Sequence, residues 1–277
     1  MHSTKVPAAE PGAPVKNTET IVLDRVHKFF GGNKFPFWRE PGEMTHALRN
    51  VCFTVTTGEV LGLLGPNGSG KSTTLKLIST MLLPDEGRVL VEGSDTRRQG
   101  QAVRRNVGFA LAAERSFFPR LTARENLEFF AALENVGRKE ALERVEAVLS
   151  RVRLTEFARK QVMKYSSGMY QRLGIARALI KSPSVLLLDE PTRSLDMRAA
   201  EELRQLVKEA SSSGLTVLLA THNFEEAAAI CDRVVLLHRG ALLNQQQAGR
   251  LHAAQLREFY REMTSEEAES MEMGVPA

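Results

Sequence analysis

Long apolar runs are absent from this sequence of 277 residues. The longest, such as Phe109 to Ala113 and Ala227 to Cys231, fall far short of the roughly 20 residues that a helix needs to span a bilayer. The N-terminus begins with the mostly polar Met1 to Thr4 and has no apolar stretch of the kind found in a secretory signal. We therefore expect a soluble protein of the cytoplasm that does not itself cross a membrane.

Cysteine is scarce as well, with Cys52 and Cys231 as the two examples. The two residues lie far apart and match no metal-ligand spacing. Each lies in or beside an apolar segment. We expect buried thiols at both positions.

Strong charge of one sign is also missing, because the formal net charge is only +4. The basic pairs Arg97-Arg98 and Arg104-Arg105 lack the interleaved aromatic residues of a surface that binds single-stranded nucleic acid. Such clusters are usually solvated faces, so we expect no nucleic-acid partner. Hydrophobic residues make up 43% of the chain, which is enough for one elaborated domain or two subdomains.

What the sequence does contain is a glycine-rich pattern between a strand-like and a helix-like segment. The apolar run Val60 to Leu64 is followed by G-x4-G-K-S-T, the spacing of a P-loop, whose backbone N–H groups surround nucleotide phosphates. In this pattern Lys71 reaches the terminal phosphates and the Ser72 hydroxyl reaches Mg²⁺. A glycine-rich turn without a ligand is the alternative, but it leaves the flanking strand and helix unexplained. We expect a nucleoside triphosphate to bind to Gly65, Pro66, Asn67, Gly68, Ser69, Gly70, Lys71, Ser72 and Thr73.

The remaining pattern alternates strands with helices. The pair Thr122 and Glu125 predicts a capping box at the start of a helix, and residues of about 120 to 180 are expected to be mainly helical. A second helix there has its apolar face at Leu142, Val145, Val148 and Leu149. Strands are predicted near residues 21–26, 48–55, 60–64, 88–92, 107–111, 185–188, 216–220 and 234–238.

Three segments lack such patterns. Residues 1–18 are rich in Pro, Ala and Gly, and the acidic end after about residue 262 has no clear period, so both are expected to be unstructured. An insertion between residues 31 and 44 is rich in turn residues and holds Trp38, the only tryptophan. Its aromatic residues form either a contact surface or ordinary packing against the core.

Two further strand-like runs end in groups that can act on a nucleotide. The run from Ser184 to Leu188 ends at Asp189 and Glu190, as a buried parallel strand delivers carboxylates to the edge of a sheet. Asp189 would help to hold Mg²⁺, and Glu190 would polarise the attacking water. An acid pair at the start of a helix is the alternative, which the P-loop makes the weaker one. The next run ends at His222, whose imidazole could hydrogen-bond the γ-phosphate.

A second candidate anion site precedes the helix pattern that begins near Ile175. Here the sequence reads Tyr165-Ser166-Ser167-Gly168-Met169, a small polar loop at a helix N-terminus, where backbone N–H groups favour anions. Simple N-capping by Ser166 or Ser167 is the alternative.

The order of these motifs resembles the ATP-binding cassette family, the nucleotide-binding subunits of ABC transporters, over about residues 20 to 240. The resemblance implies an α/β fold, with a P-loop RecA-like core, an antiparallel β-subdomain and a helical subdomain. The expected domains are residues 1–18 disordered, 19–245 as the ATP-binding domain with its helical subdomain at about 112–181, and 246–277 as a C-terminal extension with an acidic tail. ATP and Mg²⁺ are the implied ligands.

The resemblance also assigns roles to individual residues. Phe30 matches an aromatic residue that stacks on adenine, Glu190 the hydrolytic carboxylate and His222 the histidine switch, with Lys71 among the catalytic groups. Ser72 and Asp189 match the metal ligands. Family members pair head to tail, so Ser166, Ser167, Gly168 and Met169 would close over the nucleotide of a second copy of the chain, and Asp196 lies in the loop that links the two sites.

Three departures from the family pattern stand out. The signature usually reads Leu-Ser-Gly-Gly-Gln, and here Ser167 replaces its central glycine. Ala113 stands where the family carries a glutamine that senses Mg²⁺ and the membrane partner, and Glu114 is a candidate substitute. Arg193 and Met197 replace the serine and proline common around the linking loop.

Three features together are similar to the ATPases of bacterial ABC-2 exporters, most of all those for polysaccharides or other cell-envelope polymers: the Tyr-Ser-Ser-Gly-Met variant, the Glu-Arg-Ser-Phe segment that starts at Glu114 and the Phe-Pro-Phe-Trp insertion that ends at Trp38. The resemblance implies an ATPase that lies on the inner face of the cell membrane and powers export through transmembrane permease subunits. A drug or antibiotic exporter is the alternative. A soluble ABC protein of translation or DNA repair would be expected to carry paired cassettes, and a P-loop kinase or GTPase leaves the Ser166 loop unexplained.

Overall fold

A computed structural model describes residues 19–31, 44–111, 116–248 and 252–272, without the side chains of 266–272. The predictions for residues 1–18, for the insertion with Trp38, and for Ala113 and Glu114 lie outside these ranges. None of the helices within them has the length and apolar character needed to cross a membrane.

The described residues form ten strands and eight α-helices, with two 3₁₀ turns at Thr155–Phe157 and Val162–Lys164. The strands are β1 (Glu19–Phe30), β2 (Thr45–Thr56), β3 (Val60–Leu64), β4 (Glu86–Val91), β5 (Ser94–Asp95), β6 (Val107–Leu111), β7 (Val185–Asp189), β8 (Thr216–Thr221), β9 (Arg233–His238) and β10 (Ala241–Gln247). The helices are α1 (Lys71–Ile78), α2 (Gly100–Asn106), α3 (Ala123–Leu133), α4 (Arg138–Arg151), α5 (Ser167–Leu179), α6 (Met197–Ser212), α7 (Phe224–Ile230) and α8 (Ala253–Glu272).

A six-stranded sheet in the order β10-β9-β3-β8-β7-β6 forms the centre of the fold. Strands β6, β7, β8, β3 and β9 pair in parallel, and β10 is antiparallel to β9. All five residues of β3 are buried. Leu61 and Leu63 pack with β1, β2 and α1, whereas Val60 and Leu64 pack with the helices on the other face. Burial on both faces explains the continuous apolar runs of these strands.

A second sheet, in the order β2-β1-β4-β5, is antiparallel and covers one face of the central sheet. Cys52, on β2, lies between the buried Val51 and Phe53 and is exposed. The expectation of a buried thiol is therefore wrong for Cys52, because alternate residues of an antiparallel strand face opposite sides. Cys231 is buried, as expected.

Helices α3, α4 and α5 form the helical region, and its capping box is confirmed. The Thr122 hydroxyl accepts from Glu125 N at 3.2 Å, and Thr122 N donates to Glu125 Oε2 at 2.7 Å. Val145, Val148 and Leu149 are buried, but Leu142 is 45% exposed. The prediction that Leu142 belongs to the buried face is wrong.

Two elements differ from the prediction near the end of the chain. Helix α8 continues to Glu272. The expectation of an unstructured end after about residue 262 is therefore wrong for the residues from 263 to 272. Leu256 anchors the helix because it is completely buried, and the Tyr260 hydroxyl lies 2.7 Å from His238 Nδ1. Strand β10 was not predicted, because its polar Asn244 to Gln247 look like a loop until they pair with β9.

Candidate nucleotide site

The P-loop connects β3 to α1, and its shape requires glycine at two positions. A Cβ atom on Gly65 would come within 2.2 Å of the Leu237 carbonyl oxygen. Gly70 has a φ of +106°, and its Cβ would meet Leu48 Cδ2 at 2.6 Å. A left-handed φ and close contacts of this kind are accessible to glycine alone. The chain can therefore turn directly from the strand into the helix.

Lys71 is the first residue of α1 and is only 5% exposed. Its Nζ donates hydrogen bonds to the carbonyl oxygens of Gly65 at 2.8 Å and Pro66 at 2.9 Å, and it lies 4.0 Å from Glu190 Oε1. Burial lowers the pKa of Lys71, and the carboxylates of Glu190 and Asp189 oppose the shift. A cation is thus held over the loop that would surround an anion.

Ser72 and Asp189 supply a pair of hard oxygen ligands. Ser72 Oγ donates to Asp189 Oδ1 at 3.1 Å, which brings the start of α1 to the end of β7. Burial raises the pKa of Asp189, and the hydrogen bond from Ser72 opposes the shift. Ser69 Oγ, 2% exposed, has no hydrogen-bond partner among the described residues. The pairing of the Ser72 hydroxyl with the Asp189 carboxylate fits a Mg²⁺ ion, and the partnerless Ser69 hydroxyl within the P-loop fits a phosphate oxygen.

Glu190 and His222 meet at the same edge of the sheet. The His222 Nδ1 atom lies 2.8 Å from Glu190 Oε1 and 2.6 Å from Oε2. Glu190 has a φ of +52°, which is unusual for a residue other than glycine. Its backbone N–H donates to the Ala220 carbonyl oxygen at 2.8 Å. Pairing of β7 with β8 therefore brings the two side chains together.

A cavity of about 660 Å³ opens above Glu190, and His222 lies outside its lining. Besides Asp189, Glu190 and most of the P-loop, it is lined by Arg193, noted above in the linking loop, and by residues for which the motifs gave no signal: Thr45, His46, Ala47, Arg49, Leu111 and Arg239. The β2 residues reach the cavity through strand pairing, and strand pairing leaves no local mark in the sequence.

Phe30 does not line this cavity in the described part of the chain. It lies at the end of β1, pairs with Thr45 and is 40% exposed. His46 is the aromatic residue that lines it, with its ring 4.2 Å from that of Phe29 and its Nε2 atom 3.1 Å from His27 Nδ1. Burial lowers the pKa of His46. Adenine stacking by Phe30 stays a prediction.

The signature residues and Asp196 lie at helix starts outside the lining of that cavity. Ser166 caps α5, accepting from Met169 N at 3.3 Å, and Asp196 caps α6, accepting from Ala199 N at 2.8 Å. Gly168 allows α5 and α6 to pack closely, because a Cβ atom added at this position would lie 2.9 Å from Ala199 Cβ. Ser166, Ser167 and Asp196 are exposed and Met169 is buried.

The P-loop lies between a parallel strand and a helix and faces two carboxylates at one edge of the sheet. These features define this chain as a P-loop nucleoside triphosphatase. The family described as "ABC transporter" matches residues 48–193. The chain belongs to that family and is an ATP-binding and ATP-hydrolysing cassette.

Two relatives and one solved structure illustrate the similarity. The ABC transporter ATP-binding protein NatA of Bacillus subtilis is 35% identical over 206 residues, which are 74% of this chain and 84% of NatA. The daunorubicin resistance ATP-binding protein DrrA3 of Streptomyces coeruleorubidus is 38% identical over 233 residues, which are 84% of this chain and 70% of DrrA3. The dimeric structure of the ATP-binding cassette MJ0796 with ADP and phosphate has a TM-score of 0.70 at 30% identity, covering 83% of this chain and all of that one. The predicted fold class and ATPase activity are confirmed.

Proposed function

We propose that this chain powers the export of a drug- or antibiotic-like molecule through a membrane permease. The observation that carries the proposal is the 38% identity to a daunorubicin resistance ATP-binding protein over 84% of the chain. Neither relative described above is named for a polysaccharide, so the alternative stated with the sequence becomes the main proposal.

The cavity suggests how hydrolysis would proceed. The P-loop amides and Lys71 would hold the phosphates of ATP, and Ser72 with Asp189 would hold Mg²⁺, which when bound neutralises phosphate charge. Glu190 would accept a proton from the attacking water while the water oxygen bonds to the γ-phosphorus. The bond between the γ-phosphorus and the β–γ bridging oxygen would break, leaving ADP and phosphate. His222, 2.6 Å from Glu190 Oε2, would orient that carboxylate and donate to the γ-phosphate.

A head-to-tail dimer of two chains would complete each site. Ser166, Ser167 and Asp196 are exposed at helix starts, outside the cavity of their own chain. A helix N-terminus presents unpaired N–H groups that favour anions, so α5 of a second copy is suited to the γ-phosphate. The dimeric state of the MJ0796 cassette supports this arrangement.

Replacing Ser166 with Arg is expected to lower ATPase activity at every protein concentration, because a long side chain at the start of α5 would block closure over the partner's nucleotide. ATP binding to a single chain should remain, since Ser166 does not line the cavity. Steady-state ATPase assays over a range of protein concentrations, with nucleotide titrations, measure the two effects. The exposed Ser150→Arg on α4 is the matched control. Unchanged hydrolysis by the Ser166 variant would contradict the shared site.

A permease contact is suggested by a groove of about 280 Å³ beside the helical region. Its apolar lining includes Met81, Phe109, Phe130 and Leu133, with Arg104 and Lys181 among its charged residues. Met81 is 59% exposed and Leu133 is 62% exposed. Exposed apolar side chains in a groove are typical of a contact site, and we assign this one to a cytoplasmic segment of the permease.

Leu133→Glu is expected to reduce co-purification with the permease roughly tenfold, because a carboxylate would replace a side chain whose burial contributes about 1.5 to 3 kcal/mol. The matched control is Leu142→Glu, which changes another exposed leucine of the helical region, 45% exposed and outside the groove. Pull-down of tagged protein from solubilised membranes measures the difference. Equal recovery of permease with both variants would rule out this groove.

Deletion of the gene from its own organism tests the export proposal. The deletion strain should become more sensitive to daunorubicin, and the wild-type gene should restore resistance whereas a Glu190→Gln gene should not. Growth at graded drug concentrations and accumulation of the fluorescent drug give the readout. Unchanged sensitivity together with loss of a surface polymer would instead support the polysaccharide alternative.

A further inference from the structure

A buried carboxylate lies behind the catalytic edge of the sheet. Glu226, in the first turn of α7, is 1% exposed. The Thr221 hydroxyl donates to Glu226 Oε2 at 2.6 Å and itself accepts from Asn223 N at 3.0 Å. Burying a carboxylate costs free energy unless the group is hydrogen-bonded, so the burial of Glu226 points to a structural or functional role.

Glu226 contacts both loops that carry the proposed catalytic side chains. Thr221 directly precedes His222. The Thr192 side chain also lies beside the Glu226 carboxylate and lowers its pKa, and Thr192 lies two residues after Glu190. One side chain therefore contacts both the loop after β7 and the end of β8.

The Glu226 carboxylate lies between its own helix, α7, and the neighbouring helix α6. Glu226 N donates to Asn223 Oδ1 at 3.0 Å, which caps α7. Arg204 of α6 attracts the carboxylate. Within the described residues, Glu226 Oε1 and Arg204 Nε are both buried without a hydrogen-bond partner. Burial raises the pKa of Glu226, while its hydrogen bond with Thr221, the Thr192 side chain and the charge of Arg204 oppose the shift.

His222 needs such an anchor because packing does not immobilise it. Its side chain is 53% exposed, whereas that of Glu190 is 14% exposed. An exposed imidazole changes rotamer readily unless its neighbours hold it. Thr221, one residue earlier, is buried and is therefore a point from which His222 can be held.

We propose that Glu226 is a positioning residue for ATP hydrolysis, which through Thr221 and Thr192 keeps His222 and Glu190 in contact. This inference rests on the roles proposed above for these two residues. Glu226 would act on turnover and not on nucleotide affinity, since it does not line the cavity.

Glu226→Met and Glu226→Gln test the proposal as a pair. Methionine has a similar length but accepts no strong hydrogen bond, whereas glutamine retains an acceptor for Thr221. We expect Glu226→Met to lower kcat by about tenfold, as a small misplacement of catalytic groups does, with unchanged ATP affinity, and Glu226→Gln to keep most of the activity. The matched control is Glu225→Gln in the same helical turn, where the exposed carboxylate pairs with Arg257 at 2.7 Å.

Thr221 provides a second test, in which the Glu226 carboxylate that Arg204 attracts is not replaced by an apolar side chain. Thr221→Val keeps the shape of the side chain but removes the hydroxyl, and Thr221→Ser keeps the hydroxyl. The valine variant should lose kcat as Glu226→Met does, and serine should restore it. The double variant Thr221→Val with Glu226→Met should lose no more than the larger single effect, because residues of one hydrogen-bonded unit are not additive. If Glu226→Met does not fold, the Thr221 pair decides.

Measurements of kcat and of the ATP dissociation constant, with Glu190→Gln alongside, separate the outcomes. Wild-type kcat in both Glu226→Met and Thr221→Val, while Glu190→Gln is inactive, would overturn this inference alone. A parallel loss of ATP affinity would also overturn it, since that indicates general damage to the site. If Glu190→Gln hydrolyses ATP normally, the proposed catalytic roles fail and this inference fails with them.

Discussion

Glu190→Gln is expected to reduce ATP turnover by about 10² to 10⁴-fold, because an amide cannot accept the proton of the attacking water. ATP should still bind, since Lys71, Ser72 and Asp189 remain. The variant should therefore accumulate as an ATP-bound dimer. Single-turnover hydrolysis measures the first effect, and size-exclusion chromatography with and without ATP measures the second.

The control is Glu140→Gln on α4, which neutralises a carboxylate that is 54% exposed and paired with Arg144. It should hydrolyse ATP as the unmodified chain does. A Glu190→Gln protein with full activity would mean that another group activates the water, even though Glu190 is the carboxylate in contact with His222.

Lys71→Ala is expected to weaken ATP binding by one to two orders of magnitude, because hydrogen bonds to a charged group contribute about 1.5 to 3 kcal/mol each. The ammonium group lies at the P-loop, held by the carbonyl oxygens of Gly65 and Pro66. Binding of ATP would draw it from these carbonyls to the phosphates. Titration with a fluorescent ATP analogue measures the change in dissociation constant.

Lys76→Ala is the matched control, because Lys76 lies on the same helix but does not line the cavity. Its affinity for ATP should stay close to that of the unmodified chain. Equal affinities for all three proteins would show that the Lys71 side chain does not bind the phosphates. A loss of folding in Lys71→Ala is not expected, since removal of a buried cation also removes its desolvation cost.

The central strands were predicted to within one residue at each end, and the physical reason is their burial. Strands β3, β7 and β8 are covered on both faces, so each appears as an uninterrupted apolar run. Strand β10 could not be found in this way, because its polar residues become a strand only through hydrogen bonds to β9. The exposure of Leu142 could not be predicted for a different reason, since helix periodicity does not say how wide the covered face of a helix is.

The candidate site also contains residues that the sequence predicted and residues that it did not. The P-loop was visible because its glycines, Lys71 and Ser72 are consecutive and their spacing is set by the size of a phosphate group. His46, Arg49 and Arg239 left no such mark, because they reach the cavity from β2 and from the loop after β9. The proposal of a drug-like cargo rests on similarity to a relative, since no cargo contact is expected in the cassette.

Sequence alone was sufficient for whatever depends on neighbouring residues: the phosphate loop, the capped helices and the acids at the end of β7. Tertiary structure decided which distant groups meet. Glu190 and His222 touch because β7 and β8 pair in parallel, with Asp189 opposite Ala220. The proximity of Glu226 to Thr192 depends on that same pairing, because Thr192 follows β7 and Glu226 follows β8. Strand order results from the packing of the whole core, and no local pattern encodes it.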